Sequence, residues 1–278
     1  MYQERLYDAT GSSPAQAEAQ VQALSPLGLA APAQAPGPRL VLHRRPLPDY
    51  LVRHYWWAYL WRPAVWFFDH QPIINAIVFG HYRAITDHTL RLVDGASAGD
   101  ALLIASAYGN LVPRLAASLG DNPLTVIDVA PIQLERAQCK LDKAGLAGRV
   151  RLAEMNAESL SYAEDRFDTA LMFLLLHELP VDARRRALVE ALRVVRPGGR
   201  LVLSEYGERT GTHPLHRIGL LRWILGTAEP FLPSLWHQDL DALVAECARE
   251  AGKRVVAEEK VSIFSGFYRS WRYRIERL

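Results

Sequence analysis

From Ala101 onward, short apolar runs alternate with segments of helical period, the pattern of βαβ units wound around a parallel sheet. The runs are 101–106 (ALLIAS), 124–128 (LTVID), 149–153 (RVRLA), 168–175 (DTALMFLL) and 200–205 (RLVLSE). Between the second and third runs a helix opens on Pro131, sets Leu134, Ala137 and Leu141 on one face and stops at Gly145. Another spans Asp182 to Val195, where Asp182 reads as its cap and Pro197-Gly198-Gly199 as its end. A helix-like stretch follows at about 237–251, and VVAEEKVSIF and FYRSWRYRI in the tail read as two further strands.

Upstream the pattern differs. Tyr50, Tyr55, Trp56, Trp57, Tyr59, Trp61, Trp66, Phe67 and Phe68 crowd together, punctuated by Pro48, Pro63 and Pro72. Proline is tolerated at first helical positions, so these marks suggest three helices in succession. The first forty residues are rich in Ala, Gln, Pro, Gly and Ser with no apolar period, and read as a disordered tail. Glu4 and Asp8 argue against a signal peptide. The expected organisation is therefore a tail over 1–40, an aromatic helical lid over 41–95 and an α/β domain over 96–278.

Composition removes several function classes. The chain has 278 residues, of which 50% are hydrophobic and 22% charged, so its bulk is neither disordered nor fibrous. No run approaches the roughly 18 uninterrupted apolar residues of a transmembrane helix. A net charge of +2 supplies no polybasic field, and no nucleic-acid partner is expected. Cys139 and Cys247 form neither a CxxC pair nor a disulfide framework, so a reduced cytoplasm is the simplest compartment.

In an open α/β sheet, ligands bind outside the carboxyl ends of the strands. The first such turn is Ala105-Ser106-Ala107-Tyr108-Gly109-Asn110, where glycines would normally admit a nucleotide cofactor and only Gly109 remains. Nineteen residues after Gly109, Asp128 ends the second run, placed to accept hydrogen bonds from ribose hydroxyls or to cap the next helix. Tyr108 either stacks on a ligand or fills the space of the missing glycines, and Asn110 either caps the helix near Leu111 or touches cofactor. His177 and Glu178 end the fourth run, as base, metal ligands or substrate orienters, with structural hydrogen bonding as the alternative. Glu205 and Tyr206 reach the same rim after the fifth run. Val181 stands where an HExxH zinc motif needs its second histidine, which excludes that site. An insertion at 207–236, holding His213, His216 and Glu229 with His237 just beyond, covers the expected pocket; its spacing matches no metal motif and favours solvated or structural roles. The Arg184-Arg185-Arg186 run reads as a solvated helix face.

This constellation resembles the class I S-adenosylmethionine-dependent methyltransferases over about 80–275. ALLIASAYGNL (101–111), TVIDVAPIQLERAQ (125–138), MNAESLSYAEDRFDTALMFLLLHELP (155–180) and ALRVVRPGGRLVLSEY (191–206) carry the likeness. The resemblance implies a Rossmann-like α/β fold, a seven-stranded, mostly parallel sheet with helices on both faces and a reversed final strand. It also implies S-adenosyl-L-methionine as cofactor. Ala105, Ala107, Tyr108, Gly109 and Asn110 would approach its methionine part, Asp128 with Val129 its ribose, and Asn156 with Ala157 its adenine. Asn156 stands where that family usually has aspartate. More narrowly, YWWAYLWRPAVWFFD (55–69), the AYGNL turn, LLLHELP and AEPFLPSLW (228–236) resemble the rhodoquinone-biosynthesis methyltransferase-like proteins. That branch implies replacement of a methoxy group of a lipophilic benzoquinone by an amino group, with S-adenosylmethionine as nitrogen source and a divalent metal such as manganese. His177, Glu178 and Glu205 are then the candidate catalytic groups. Two alternatives stay open: a conventional methyltransferase of a phenolic or other small acceptor, and an inactive quinone-binding or scaffold module. The aromatic segment 50–68, with Arg45, Arg53 and Arg62, reads either as a peripheral docking surface at the inner membrane or as a packed helical lid.

Overall fold

The computed structural model describes residues 47–95, 98–209 and 213–278, so the tail expected over 1–40 lies outside the described residues. The apolar runs pair into one seven-stranded sheet: β1 (Ala101–Ile104), β2 (Leu124–Asp128), β3 (Val150–Glu154), β4 (Phe167–Phe173), β5 (Val195–Tyr206), β6 (Lys253–Ile263) and β7 (Tyr268–Arg277). Their order in space is β3-β2-β1-β4-β5-β7-β6. β1 to β5 are mutually parallel, while β7 runs antiparallel to both of its neighbours. Every residue of β1 and β2 is buried, as expected of strands covered on both faces.

Helices α6 (Leu111–Ser118), α7 (Pro131–Lys143) and α8 (Val181–Val194) make the crossovers. From β1 the chain steps outward through β2 to β3, and from β4 it steps the opposite way to β5. Right-handed crossovers therefore put α6 and α7 on one face and α8 on the other. The order reverses between β1 and β4, and that reversal is where an open α/β sheet leaves a crevice at its carboxyl edge. α12 (Leu240–Glu250) packs on α8 and β6. α5 (Tyr82–Val93) packs beside α6 and against β4, β5 and β7. Leu134, Ala137 and Leu141 of α7 are buried, as their spacing predicts.

Four details depart from the expected pattern. The leader forms four short helices rather than three: α1 (Asp49–His54), α2 (Trp56–Tyr59), α3 (Arg62–Phe68) and α4 (Gln71–Ile77). The extra break falls at Tyr55, whose φ of −122° leaves the helical region. α8 starts at Val181 behind Pro180, so Asp182 sits inside the first turn, where it meets the positive helix end and makes no side-chain cap. β5 begins at Val195 and runs through Pro197-Gly198-Gly199, because Val195 already pairs with Phe167 across a bulge. At Gly199 a Cβ would lie 2.5 Å from the Asp168 carbonyl oxygen, so only glycine fits that strand contact.

The fourth departure is Arg184, which is fully buried rather than solvated. Its guanidinium donates to the carbonyls of Leu176, Leu179 and Phe231 and to the side chains of Gln238 and Ser234. Carbonyls of an irregular turn need donors once buried, and one five-donor side chain supplies several of them. Arg184 thereby ties the turn after β4 to the segment containing α11 (Leu232–Trp236), which follows α9 (Pro214–Arg217) and α10 (Gly219–Ala228). Among the described residues no helix is long and apolar enough to cross a membrane.

Candidate functional site

A cleft of about 300 Å³ opens at the sheet's carboxyl edge over the β1/β4 reversal. Ala105, Ser106, Ala107 and Tyr108 line it from the turn after β1, Asp128 and Val129 from β2, Asn156 and Ala157 from β3, and His177 and Glu178 from β4. The two central turns share a backbone signature: Ala105 has φ +68° and Leu174 φ +50°. A side chain in that left-handed region costs about 1–2 kcal/mol, and it recurs here on both strands that flank the crevice. Adjacent strands lie about 4.8 Å apart, so the strand order spreads Asn156, Asp128, the β1 turn and His177 over about 14 Å. Gly109, Asn110 and Glu205 are not among the lining residues.

At the β2 end, Asp128 Oδ1 accepts from Ala130 N at 2.8 Å and Oδ2 from Ser106 N at 2.8 Å. The carboxylate thus pins the β1 turn to the β2 turn and also holds the start of α7. Backbone N–H groups of Ala130, Ser106 and Val129 engage the carboxylate, which leaves part of its roughly four lone-pair sites free. Burial pushes its pKa up to about 7, against the pull of the backbone N–H groups of Ala130, Ser106 and Val129. Beside it, the buried Ser106 hydroxyl has no hydrogen-bond partner among the described residues. Asn156 Oδ1 accepts from Glu158 N, which leaves its amide donors and one lone pair available.

The glycine-poor turn is held from behind by residues that sequence reasoning missed. Asp69, at the end of the aromatic run, is buried and accepts from Gly109 N at 3.0 Å, from Arg136 and from Lys140 Nζ at 2.9 Å. Lys140 also donates to the carbonyls of Ala107 and Gly109. Burial lowers the Lys140 pKa, and Asp69 opposes that shift. Tyr82 of α5 donates to the Tyr108 carbonyl and accepts from Leu111 N. Gly109 has φ +76°, and a Cβ there would lie 2.7 Å from the Tyr82 oxygen, so this one retained glycine is required on both counts. A signal existed in the sequence: Arg136 and Lys140 are like charges one helical turn apart, which needs an anion between them. Asn110 precedes α6 but makes no side-chain cap.

At the β4 end, His177 Nδ1 donates to Glu205 Oε1 at 2.8 Å, the role fixed by a carboxylate that only accepts. Glu205 is buried behind the imidazole and also accepts from the N–H groups of Leu176, His177 and Tyr206. His177 Nε2 lies 3.9 Å from Glu178. Burial pulls the imidazole pKa down, but Glu205, Glu229 and Glu178 outweigh it and push it up to about 9. Burial also pushes Glu178 up to about 8, with His177 opposing and Glu229 adding to the shift. Glu229, from the end of α10, is raised by its own burial.

The leader helices close over this group. Tyr50 donates to Glu158 at 3.0 Å, Tyr55 to Glu229 at 3.0 Å, and Tyr59 to Glu178. Tyr108 stacks on Tyr59 with ring centroids 5.4 Å apart and donates to the Ala58 carbonyl, so it fills space within the protein. Burial and the neighbouring carboxylates raise the pKa of Tyr55 and Tyr59, which act as donors only. Of the insertion, Glu229 and Ala228 reach the cleft, whereas His213 and His216 pack among Phe264, Phe267 and Trp236. Among the described residues no group of three or more His, Cys, Asp or Glu side chains is placed to hold a metal ion.

Residues 101–199 match a family model described as a methyltransferase domain. The ubiquinone/menaquinone biosynthesis C-methyltransferase UbiE of Marinomonas sp. (strain MWYL1) is 30% identical over 139 residues, 49% of this chain and 54% of that protein. The chain thus spans about half the length of the curated relatives it matches. Among solved structures, an O-methyltransferase family protein from Burkholderia thailandensis aligns with a TM-score of 0.57 at 17% identity, over 79% of this chain and 64% of that one. The S-adenosylmethionine-dependent methyltransferase SibL aligns with a TM-score of 0.58 at 22% identity, over 74% of this chain and 59% of that one. At such identities the likeness is one of fold.

Proposed function

We propose, from the premise that this chain belongs to the class I S-adenosylmethionine-dependent methyltransferase superfamily, that it acts with S-adenosylmethionine on the ring of a lipophilic benzoquinone. The residues fit the cofactor: Asp128 keeps free lone pairs at the β2 end, and the unpartnered Ser106 hydroxyl beside it awaits a hydrogen bond. Asp128 would hold the ribose, Asn156 and Ala157 the adenine, and the Ala105–Tyr108 turn the methionine part. When bound, the cofactor supplies the transferred group, nitrogen for an amino exchange or methyl for methylation.

The observation that carries the reading is the placement of His177, which lines the cleft with the buried Glu205 carboxylate 2.8 Å behind its Nδ1. With its pKa pushed up to about 9, the imidazole is protonated at neutral pH and Nε2 presents a proton rather than a lone pair. A proton donor suits a carbonyl acceptor. His177 would hydrogen-bond a quinone oxygen and draw electron density out of the ring as an amine nitrogen adds; the C–OCH₃ bond then breaks, methoxide takes the His177 proton and leaves as methanol, and the proton shed by the amine nitrogen restores the imidazolium. Glu205 keeps the ring oriented and the proton favoured, so it acts as a positioning residue. Tyr55, Tyr59 and Phe68 give the cleft aromatic walls that suit a flat ring and exclude water. Exchange of methoxy for amino on that ring is the finer reading.

Methylation of a phenol is the second reading, favoured by the UbiE relatives, which are named as C-methyltransferases of ubiquinone and menaquinone biosynthesis. It requires a base, and the protonated His177 and Glu178 serve it less well at neutral pH. Mass spectrometry of a short-tailed ubiquinone incubated with protein and S-adenosylmethionine separates the two. A product in which NH₂ replaces OCH₃ is expected. A product gaining a methyl, with S-adenosylhomocysteine released, would replace the first reading by the second, and absence of saturable cofactor binding would sink both.

A further inference from the structure

Helix α10 turns its apolar side outward. Its sequence GLLRWILGTA contains no residue that the fold buries. Leu220, Trp223, Ile224 and Thr227, spaced i, i+3, i+4 and i+7, form one exposed stripe. An ordinary surface helix turns such a stripe to the core, yet Leu220 and Trp223 are 67% and 68% exposed. The leader presents a second set, with Trp56, Trp61, Trp66 and Phe67 exposed. The helices that carry both sets also contribute to the cleft, through Ala228 at the end of α10 and Trp57 and Ile77 of the leader, although the exposed side chains of the two sets do not themselves line it. Just beyond α10, the Phe231 ring packs against Tyr50, His54 and Tyr55 of the leader.

Charge says what covers this rim. Residues 213–228 contain Arg217 and Arg222 and no acidic residue, and residues 50–68 contain Arg53 and Arg62 and no acidic residue, Arg62 being paired with Glu135 of α7 at 2.8 Å. In a two-fold dimer the patch would face a copy of the same basic sign, with no carboxylate of its own stretches to offset it. An anionic lipid surface meets the same residues with opposite charge, and tryptophan favours its headgroup level. We propose that α10 and the leader tryptophans dock this protein on a bilayer bearing anionic headgroups, with the cleft mouth at the acyl boundary. The inference holds whether or not the acceptor is a quinone.

Co-sedimentation of the full chain with phosphatidylcholine vesicles, with and without phosphatidylglycerol, tests it. Binding is expected to the anionic vesicles, with a blue shift of tryptophan emission and loss at high salt. Trp223→Glu combined with Ile224→Glu should weaken binding at least about tenfold, and Arg217→Gln about fivefold, with unchanged circular dichroism and thermal unfolding. Because Arg217→Gln alters one exposed side chain, it and the salt series keep the test valid if the double variant misfolds. No binding of the wild type to anionic vesicles overturns the proposal, as does equal binding by the variants. A dimer in sedimentation velocity that the α10 variant disperses, without vesicle binding, would assign the face to a second copy instead.

Discussion

His177 and Glu205 divide one task between two residues. Glu205 never reaches the cleft; it accepts the Nδ1 proton and so leaves Nε2 as the atom facing a ligand. Replacing His177 by Gln keeps a polar side chain but removes the titrating proton, and turnover should fall by about 10²–10⁴ while the dissociation constant for S-adenosylmethionine stays near the wild-type value. Glu205→Gln should act differently, because it removes a carboxylate that holds the imidazole pKa up. The alkaline limb of the kcat–pH profile, set near 9 by His177 in the wild type, should move toward neutrality. An unmoved limb in Glu205→Gln would mean that the two residues are linked only by packing. Ala105 and Leu174 add a second residue-scale feature, since each keeps a side chain where the backbone favours glycine, at the head of one of the two turns that frame the crevice.

Among the elements, the turn after β1 depends on α3, α5 and α7 for its shape. Asp69→Asn would leave Arg136 and Lys140 without their shared anion and weaken the hold on Gly109 N. Breaking a buried pair costs about 3–5 kcal/mol, and Arg136 keeps some contact with water, so urea unfolding should show a loss of about 2–3 kcal/mol. A change below about 0.5 kcal/mol would mean that the turn stands without this support. The strands were legible because apolar runs bounded by Gly, Pro and Asp leave few other structures open, and Asp128 and His177 followed from the rule that ligands gather at strand ends. Asp69, Tyr59 and Tyr82 were not legible as site residues, and Glu229 was read only as part of the insertion expected to cover the pocket. Each meets the cleft or its turn only after folding brings it across 25 residues or more of sequence, and no local spacing records that meeting. Arg184 misled for a related reason: in a run of three arginines, composition argues for solvent, whereas burial is decided by the unpaired carbonyls of a turn the helix packs against.

For the whole molecule, three buried groups of the cleft, His177, Asp128 and Glu178, act in one direction, while the buried His216, lowered to about 4, acts the opposite way below about pH 6.5. His177, raised to about 9, stabilises the fold while charged, so its contribution is complete below about pH 6.5 and is lost as pH rises through 9. Asp128 and Glu178, raised to about 7 and about 8, bind a proton in the folded chain that the unfolded chain has already released. They too make stability fall as pH rises, across the interval from about 4 to 8. Calorimetry of the ligand-free protein should therefore show a melting temperature that declines from pH 7 to 9, above the range where His216 titrates, with a shallower decline in Glu178→Gln, and a curve rising over that range would contradict the charge states assigned here. The supports of the β1 turn carry a different lesson, about modularity. The stretch that matches a methyltransferase profile, 101–199, contains the turn but neither Asp69 nor Tyr82, the groups from the leader that shape it. The recognisable module is thus not a transplantable one: a shuffled copy of 101–199 would bring its unusual turn into a new protein without the leader groups that hold it.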